Sequence, residues 1–594
     1  MTIIADTLAD LGAADKLIVT SAPTNTNGIA GASSTILPIV ARTSTTADAN
    51  FVQYAGANGF AQHSAATTGT LGTSVANSLA DISLADTAGA GNIDIYAVRT
   101  NVNIAPTDGT TLVRIGGGAM IVNANGVAAP IISTNLLFGT SAAALKEAVV
   151  YVGSGQTSGT ATFSGSFSAA DFTKFGPGGL VISGTANSMA PATNANLRNF
   201  VVNDGTVRFA GATSLPSIGI SGLGAVNGVD VSGVNLNVNE LGVLDLGGQS
   251  LAFAGFSLNT VNNVATGTIT NSGSAASLII AGHNQTTTFQ GAINDGSGTV
   301  GLIKSGTGLV QLNGNSTYSG GTTINAGTIV SSTLIGAQTA AAAFANMATG
   351  GLGVAEYMGM GTGSVTLSGG TLLINSARTG EHEASDGINV FTFGPVAAGG
   401  YDLIVSQNNN FGSSNTTSKI HAANAVFAAI NSLTINAPAL TFDGTVNTGI
   451  LVRGAVTLGN ATTILNTPRD VVFGGKLVGT GSGTITKIGQ ESLILANYDA
   501  GAAANSGITT WNLFQGDIEV RATDGSISNP LVNGSSIVIN SSAILNLRHE
   551  GNGIEGLQRI LTFQTNNLQF GSTAGVADAG FISSGNVAQV NVNR

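Results

Sequence analysis

Short stretches in which apolar residues stand two positions apart recur along much of the chain. Val310 and Leu312 form one such pair, and Leu180 and Ile182 form another. A period of two residues is typical of strands that bury one face and expose the other. Glycines between these stretches allow the backbone to turn with a positive φ angle. The pattern therefore predicts many short strands joined by tight bends.

A three-part phrase, called here the cassette, recurs three times in the chain. It consists of a Phe-x-Gly-x-apolar segment, then Lys-x-Gly ahead of an apolar strand, then a Gly that opens a further strand. The first copy comprises Phe163, Gly165, Phe167, Lys174, Gly176, Gly178, Leu180, Ile182, Val202, Asn203, Gly205, Thr206 and Val207. The second comprises Phe289, Gly291, Ile293, Lys304, Gly306, Gly308, Val310, Leu312, Ile324, Asn325, Gly327, Thr328 and Ile329. The third, more divergent, comprises Phe473, Gly475, Leu477, Lys487, Gly489, Leu493, Leu495, Gly516 and Ile518, with Glu491 and Phe514 in place of Gly and Asn.

The recurrence of this cassette predicts a solenoid. Each copy supplies only a narrow apolar stripe, which is too small to fold alone. Stacking one coil on the next joins the stripes into a continuous core. The expected fold is therefore an all-β parallel β-helix.

The second copy resembles a known repeat family. Residues 304–308 and 312–329 are similar to the autotransporter-associated β-strand repeat, also called the passenger-associated transport repeat. The resemblance is specific over 289–330 and partial around 160–210 and 470–520. It implies a right-handed parallel β-helix that forms the stalk of a large bacterial surface or secreted protein.

Composition agrees with a thin core and a neutral exterior. Hydrophobic residues make up 43% of the chain but aromatic residues only 5%, so Val, Ile, Leu and Ala must fill the interior. Charged residues are 8%, against about a quarter in ordinary soluble domains. The outward faces must therefore consist mainly of hydroxyl and amide side chains.

Several classes of function are disfavoured by the composition. A net charge of −11 and scattered Lys and Arg argue against binding to nucleic acid. The absence of Cys removes disulfides and thiol chemistry. No apolar stretch predicts a transmembrane helix. Residues 1–10 do not resemble a secretory signal, so we expect a chain that begins after processing or is one segment of a longer protein.

The chain divides, by pattern, into four predicted regions. Two short helical excursions from the solenoid are expected at 334–348 and 419–431, where β-branched residues are few. The regions are an Ala/Ser/Thr-rich β region at 1–90, solenoid with two cassettes at 91–333, coils with helical excursions at 334–431, and solenoid with the third cassette at 432–594.

The strongest candidate for catalysis is a set of charged residues near the end of the third cassette. Asp517, Glu519 and Arg521 alternate along a predicted strand and so project from one face. Two carboxylates at such a spacing are used by inverting glycosidases. A solvated strand face, whose Arg offsets the acids, is the favoured interpretation.

Candidate metal ligands are sparse. His382 lies between two glutamates in a polar segment, and Asn294, Asp295 and Gly296 resemble part of a calcium loop. Surface histidines and an Asp-Gly turn explain these features more simply. The other histidines, which have no partner at ligand spacing, are His63, His283, His421 and His549.

The cassette lysines Lys174, Lys304 and Lys487 invite two interpretations. They form either a ladder that binds a ligand or solvated charges at coil corners, and the second is favoured because charge discourages mispairing of strands. Asn203 and Asn325, at matching turns, are interpreted as residues that hydrogen-bond their own local backbone.

These observations predict a structural protein that is not an enzyme. No catalytic, cofactor-binding or metal-binding residue is assigned, and no cofactor is expected. The leading hypothesis is a self-associating β-solenoid in an extracellular bacterial surface layer, fibre or sheath. One alternative is an adhesin stalk that binds a host surface or cell-surface glycan through loops at 334–430. A further alternative is a β-helical polysaccharide lyase or hydrolase that uses Asp517 and Glu519.

Overall fold

The regular secondary structure in the computed structural model of the chain is almost entirely β-strand. The structure describes residues 2–5, 11, 13, 16–18, 35–43, 48–54, 56–63, 67–68, 71, 79–83, 86–123, 129–154, 159–189, 198–211, 233–256, 267–280, 286–332, 359–375, 381–382, 389–395, 398, 400–406, 418–423, 427–444, 449–495, 506–522, 535–549, 559–570, 580–585 and 587–593.

Contacts divide the chain into two compact units. The first consists of 1–283 and 287–300, and the second of 284–286 and 301–594. Each strand is grouped below with the unit that holds most of its residues. The four regions expected from the sequence stay a prediction.

The first unit begins with a small sheet and continues as a parallel solenoid. In the small sheet β1 pairs parallel with β2, whereas β2, β3 and β4 pair antiparallel. The strands of the whole first unit are β1 (Thr2–Ala5), β2 (Thr35–Thr43), β3 (Ala49–Tyr54), β4 (Phe60–Gln62), β5 (Thr67–Thr68), β6 (Leu79–Ile82), β7 (Asp86–Ala88), β8 (Asn92–Thr100), β9 (Ile104–Pro106), β10 (Leu112–Asn123), β11 (Ile131–Ile132), β12 (Asn135–Phe138), β13 (Ala148–Gly153), β14 (Thr160–Phe163), β15 (Phe167–Ala169), β16 (Phe172–Phe175), β17 (Gly179–Ile182), β18 (Ser188–Met189), β19 (Arg198–Phe209), β20 (Val234–Asp245), β21 (Leu251–Phe253), β22 (Gly255–Phe256), β23 (Thr268–Thr270), β24 (Ala276–Ile280), β25 (Thr286–Phe289) and β26 (Ala292–Ile293), with a 3-10 helix at Gly56–Asn58.

Three strands make up a coil in the middle of this unit. Strand β12 pairs with β15, β13 with β16, and β14 with β17, each in parallel. Every strand is thus paired with the third strand after it, which is the topology of a three-sided solenoid. The interior includes a run of aromatic rings, in which Phe172 stacks on Phe200 at 4.9 Å between centroids and Phe200 contacts Phe209 at 5.5 Å.

The second unit repeats this topology. Strand β35 pairs with β38, β36 with β39, and β37 with β40, again in parallel. Its strands are β27 (Val300–Lys304), β28 (Leu309–Leu312), β29 (Thr322–Ile324), β30 (Thr328–Ser332), β31 (Val365–Leu367), β32 (Thr371–Asn375), β33 (Glu381–His382), β34 (Asn389–Thr392), β35 (Asp402–Val405), β36 (Ser418–Ala423), β37 (Phe427–Ile430), β38 (Ser432–Ile435), β39 (Ala439–Gly444), β40 (Gly449–Val452), β41 (Val456–Leu458), β42 (Thr462–Asn466), β43 (Asp470–Phe473), β44 (Leu477–Ile488), β45 (Leu493–Leu495), β46 (Ser506–Ala522), β47 (Ser535–His549), β48 (Arg559–Phe570), β49 (Gly580–Gly585) and β50 (Val587–Asn593).

Inward positions of successive coils stack in columns. Leu403 is in register with Leu433 of the next coil, and Leu433 is in register with Val456 of the coil after that. All three side chains are fully buried. Burial of these columns is the main driving force for the fold, at about 25 cal/mol per Å² of apolar surface removed from water. The all-β parallel solenoid expected from the sequence is confirmed.

The prediction of one of the two helices is wrong. The segment 419–431 forms β36 and β37, and Ile420 pairs with Leu372 in the preceding coil and Phe442 in the next. Pairing with both neighbouring coils satisfies the backbone and outweighs the weak helical preference of an Ala-rich segment. The other expected helix, at 334–348, lies outside the described residues. In the part of the chain that the structure describes, no helix is long and apolar enough to cross a membrane.

The Phe-x-Gly glycines mark places where coils touch through their backbones. A Cβ at Gly165 would overlap the carbonyl oxygen of Thr134 in the preceding coil. A Cβ at Gly475 would likewise overlap that of Gly454. The glycine of this phrase is therefore required by the close approach of successive coils.

Candidate functional site

The three cassette lysines all point into the solenoid. Lys304 is in phase with Val300 and Leu302 on β27, where buried and partly exposed positions alternate. Lys174 and Lys487 occupy the same phase on β16 and β44. The exposed fractions of Lys174, Lys304 and Lys487 are 0%, 1% and 0%. The interpretation of these lysines as solvated charges at coil corners is therefore wrong.

Each lysine is in register with an apolar residue of the next coil. The partners are Val202 for Lys174, Ile324 for Lys304 and Leu513 for Lys487. The lysine thus takes a place that a Val or Leu occupies elsewhere in the column. Burying an ammonium in such a place is costly unless its three donors find acceptors.

The first acceptor is supplied by the turn that follows the lysine. In each copy the Nζ atom donates to the carbonyl oxygen of the residue two positions later in the chain. The distances are 2.6 Å from Lys174 to Gly176, 2.7 Å from Lys304 to Gly306 and 2.8 Å from Lys487 to Gly489. This residue is the glycine of the Lys-x-Gly phrase.

The second shared acceptor comes from the next coil. Lys174 Nζ donates to the Asp204 carbonyl at 2.5 Å, Lys304 Nζ to that of Ala326 at 3.3 Å, and Lys487 Nζ to that of Gln515 at 2.9 Å. Each of these residues directly precedes the glycine that opens the last strand of the cassette. One ammonium therefore ties together the turns of two successive coils.

A further acceptor completes each site and differs among the copies. Lys174 Nζ also donates to the Gly178 carbonyl, whereas Lys304 Nζ donates to Ser305 O at 2.9 Å. Lys487 Nζ lies 3.5 Å from Ile488 O. The set of Nζ and its three carbonyl oxygens is called here the lysine staple.

The cassette glycines shape the two turns around the staple. Gly306 has a φ of 76° and Gly327 a φ of 68°, in the left-handed region that disfavours other residues. A Cβ at Gly327 would also lie 2.7 Å from Lys304 Nζ. The spacing of Lys and Gly in the cassette is thus explained by one hydrogen-bonded unit.

Burial changes the acidity of the three lysines. It lowers the pKa of Lys174 and of Lys304 to about 7, and that of Lys487 to about 8. Nearby carboxylates oppose this effect at two of the sites, Asp204 at Lys174 and chiefly Asp517 at Lys487. The staple therefore titrates near neutral pH, far below the ordinary value of 10.5.

The buried position also decides which chemistry is open to the lysines. Their ammonium groups face backbone carbonyls inside the core and are shielded from solutes. They do not form the ligand-binding ladder that was the alternative interpretation. Lys304 has the same phase as Leu302 along the strand, and this spacing was the signal in the sequence for an inward position. The charge of the lysine instead favoured the interpretation of a solvated side chain.

The asparagines at the matching turns bond across coils. Asn239 Nδ2 donates to Asn203 Oδ1 from the following coil, and Asn325 Nδ2 donates to Ser305 Oγ at 3.4 Å. The prediction that they bond their own local backbone is therefore wrong. In the third copy this position holds Phe514, which is 51% exposed.

The acidic pair on β46 is more enclosed than a solvated strand face. Ser492 Oγ donates to Asp517 Oδ1 at 2.7 Å, and burial is the main cause that raises the pKa of Asp517. Glu519 is 7% exposed, and Asn546 Nδ2 donates to its Oε2 at 3.3 Å. The prediction of a solvated face is wrong for Glu519, whereas the side chain of Arg521 lies outside the described residues.

The candidate metal ligands can be placed only in part. Asp295 Oδ1 accepts a hydrogen bond from the Val300 backbone N at 2.8 Å, as in a turn. His382 lies on β33, paired with Asn389 of β34. Within the described ranges no three His, Asp or Glu side chains are grouped as a metal site would require.

Comparison with known proteins bears on the second cassette. Residues 302–330, which include the Lys304 staple, match the passenger-associated-transport-repeat family. Searches of curated proteins and of solved structures gave no match. The resemblance noted at 289–330 is therefore confirmed for 302–330, and the chain is a parallel β-solenoid that contains a segment similar to this repeat.

Proposed function

We propose that the chain is a structural component of an extracellular bacterial surface layer, fibre or sheath, in which β-solenoids associate with one another. The observation that carries this proposal is the lysine staple. In all three cassettes the lysine hydrogen-bonds to two successive coils and is too deeply buried to contact an external ligand. The repeated sequence motif is thus a device for stacking coils.

The passenger-type repeat supports a location outside the cell. Proteins that carry it are secreted or displayed at the bacterial surface, as the resemblance implies. Outward faces rich in hydroxyl and amide side chains add support, because such side chains lose little conformational entropy when they pack laterally.

We also propose that the chain is not an enzyme. The acids that a lyase or hydrolase would use are engaged by neighbours, since Asp517 accepts from Ser492 and Glu519 from Asn546. A general acid or base must reach substrate, and Glu519 is almost fully buried.

The structural role is tested in the native bacterium. Deletion of the gene should remove or thin a layer or fibre seen by electron microscopy, and antibodies to the chain should label intact cells. Restoring the chain with Asp517→Ala and Glu519→Ala should restore the layer. A normal surface after deletion, or labelling that requires broken cells, would contradict the proposal.

A further inference from the structure

On one face of the second unit, a group of outward side chains from four neighbouring strands carries no charge. It is formed by the outward side chains of β42, β44, β46 and β47, and is called here the neutral face. Its residues are Thr462, Ile464 and Asn466 on β42, Thr484, Thr486 and Ile488 on β44, Thr510, Asn512 and Phe514 on β46, and Ser536, Val538 and Asn540 on β47.

The direction of these side chains follows from the burial of those between them. Thr463 and Leu465 are fully buried, as are Ile485 and Lys487 on the next strand. Residues on either side of them must point outward, because side chains of a strand alternate between its two faces. The register Thr462↔Thr484↔Thr510↔Ser536 aligns the four strands into straight rows.

Exposed apolar groups lie on this face. In the described part of the second unit, Ile464 and Phe514 are the large apolar side chains that are exposed, at 37% and 51%. Between them lie the hydroxyl of Thr486 and the amide of Asn512. An aromatic ring beside ordered hydroxyl and amide groups is a combination that recognises ligands with both apolar and hydrogen-bonding surface.

The size of the face restricts what can occupy it. Four strands about 4.8 Å apart and about five residues of about 3.3 Å give roughly 300 Å². A stable protein dimer buries about 800 Å² on each partner. The sheet continues into β39 and β48, but the neutral face itself matches the size of a few units of an extended polymer.

The lack of charge restricts the chemistry of the occupant. An acidic or basic polymer would gain no ion pair here and would lose hydration of its charges. Neutral sugars carry hydroxyl groups around the ring edge and C–H groups on the ring face. The C–H face of a sugar ring can stack on Phe514 while the sugar hydroxyls hydrogen-bond to Thr and Asn side chains.

We propose that the neutral face binds an uncharged polysaccharide, with Phe514 stacking against a sugar ring and Thr486 and Asn512 hydrogen-bonding its hydroxyls. Binding would attach the solenoid to a glycan of the cell surface or of its surroundings. The site lies on the solenoid wall, outside the loops of 334–430 considered from the sequence.

The test is calorimetric titration of the full chain with cellohexaose, chitohexaose, maltohexaose and laminarihexaose, with an alginate oligomer as the charged comparison. Saturable binding of at least one neutral hexaose is expected, and none of alginate. Phe514→Ala should weaken binding at least about tenfold, which corresponds to about 1.4 kcal/mol. Phe514→Trp should preserve it.

The matched control is Leu241→Ala, which removes another exposed apolar side chain, 68% exposed, from the first unit. It should leave binding unchanged. The proposal is overturned if none of the four neutral hexaoses binds, or if Phe514→Ala binds as well as the natural chain. Sedimentation that shows self-association abolished by Phe514→Ala would assign the face to a second copy instead.

Discussion

Replacing Lys487 by Met should change how the stability of the third cassette depends on pH. Burial lowers the pKa of Lys487 to about 8 in the folded chain, from an ordinary value of 10.5. Between these two values the unfolded chain binds more protons than the folded chain. Stability therefore rises with pH in this window, because the cost of burying the ammonium disappears as the group loses its proton.

The size of this effect follows from the two pKa values. A difference of roughly 2.5 between the two pKa values corresponds to about 3 kcal/mol in total, and about 2 kcal/mol of it develops between about pH 7 and pH 9.5. Met has no proton to lose. The difference in free energy of unfolding between the natural chain and Lys487→Met should therefore grow by about 2 kcal/mol in favour of the natural chain over this range.

The chain contains its own probe for this measurement. Trp511 is the single tryptophan, is fully buried and pairs with Ile485 in the strand that holds Lys487. Its fluorescence during denaturant titration reports unfolding of these coils. Lys476→Met, which changes a partly exposed lysine that precedes the same strand, is the control for the loss of a lysine that is outside the staple.

The upper limit of the pH range is set by tyrosine. The titration stops near pH 9.5, because burial raises the pKa of Tyr151 to about 12, and ionisation of tyrosine in the unfolded chain lowers stability above pH 10. Parallel stability curves for the natural chain and Lys487→Met between pH 7 and 9.5 would refute the reasoning. They would show that the carbonyl oxygens of the staple keep the lysine charged at no net cost.

Three further substitutions test the packing. Gly327→Ala should destabilise its coil by about 1–3 kcal/mol, because the residue has a φ of 68° and a Cβ would press on Lys304 Nζ. The loss should appear as faster hydrogen exchange of the backbone amides at 300–330. The control Gly109→Ala, where an added Cβ meets open space, should leave that exchange unchanged. Phe200→Ala should cost about 3–5 kcal/mol by leaving a cavity in the aromatic run, so an unchanged melting temperature would contradict that packing. Tyr401→Phe should cost about 1 kcal/mol, since its hydroxyl donates to a buried backbone carbonyl at 2.8 Å; denaturant midpoints measured beside the natural chain would expose an error in either direction.

Much of the strand pattern could be read from the sequence. Val310 and Leu312 were placed inward by their spacing, and they are 1% and 2% exposed. The region 334–431 was expected to contain solenoid coils, and β31 and β32 lie within it. Helix at 419–431 was not excluded by local sequence, because short Ala-rich segments fit either state and only pairing with other coils selects the strand.

The sequence by itself determined the period of the strands, the need to stack coils and the positions of the cassette. These depend on local alternation and on Gly, whose backbone properties are intrinsic to the residue. Only the tertiary structure decided which carbonyl oxygens surround Lys304 Nζ, and that Phe514 lies on the same face as Thr486 of a neighbouring strand. Ala326, which accepts a hydrogen bond from Lys304, lies in the next coil. The environment of a side chain in a solenoid is formed by the coils above and below it. The register between coils therefore decides which groups a side chain contacts, and the sequence of its own strand does not.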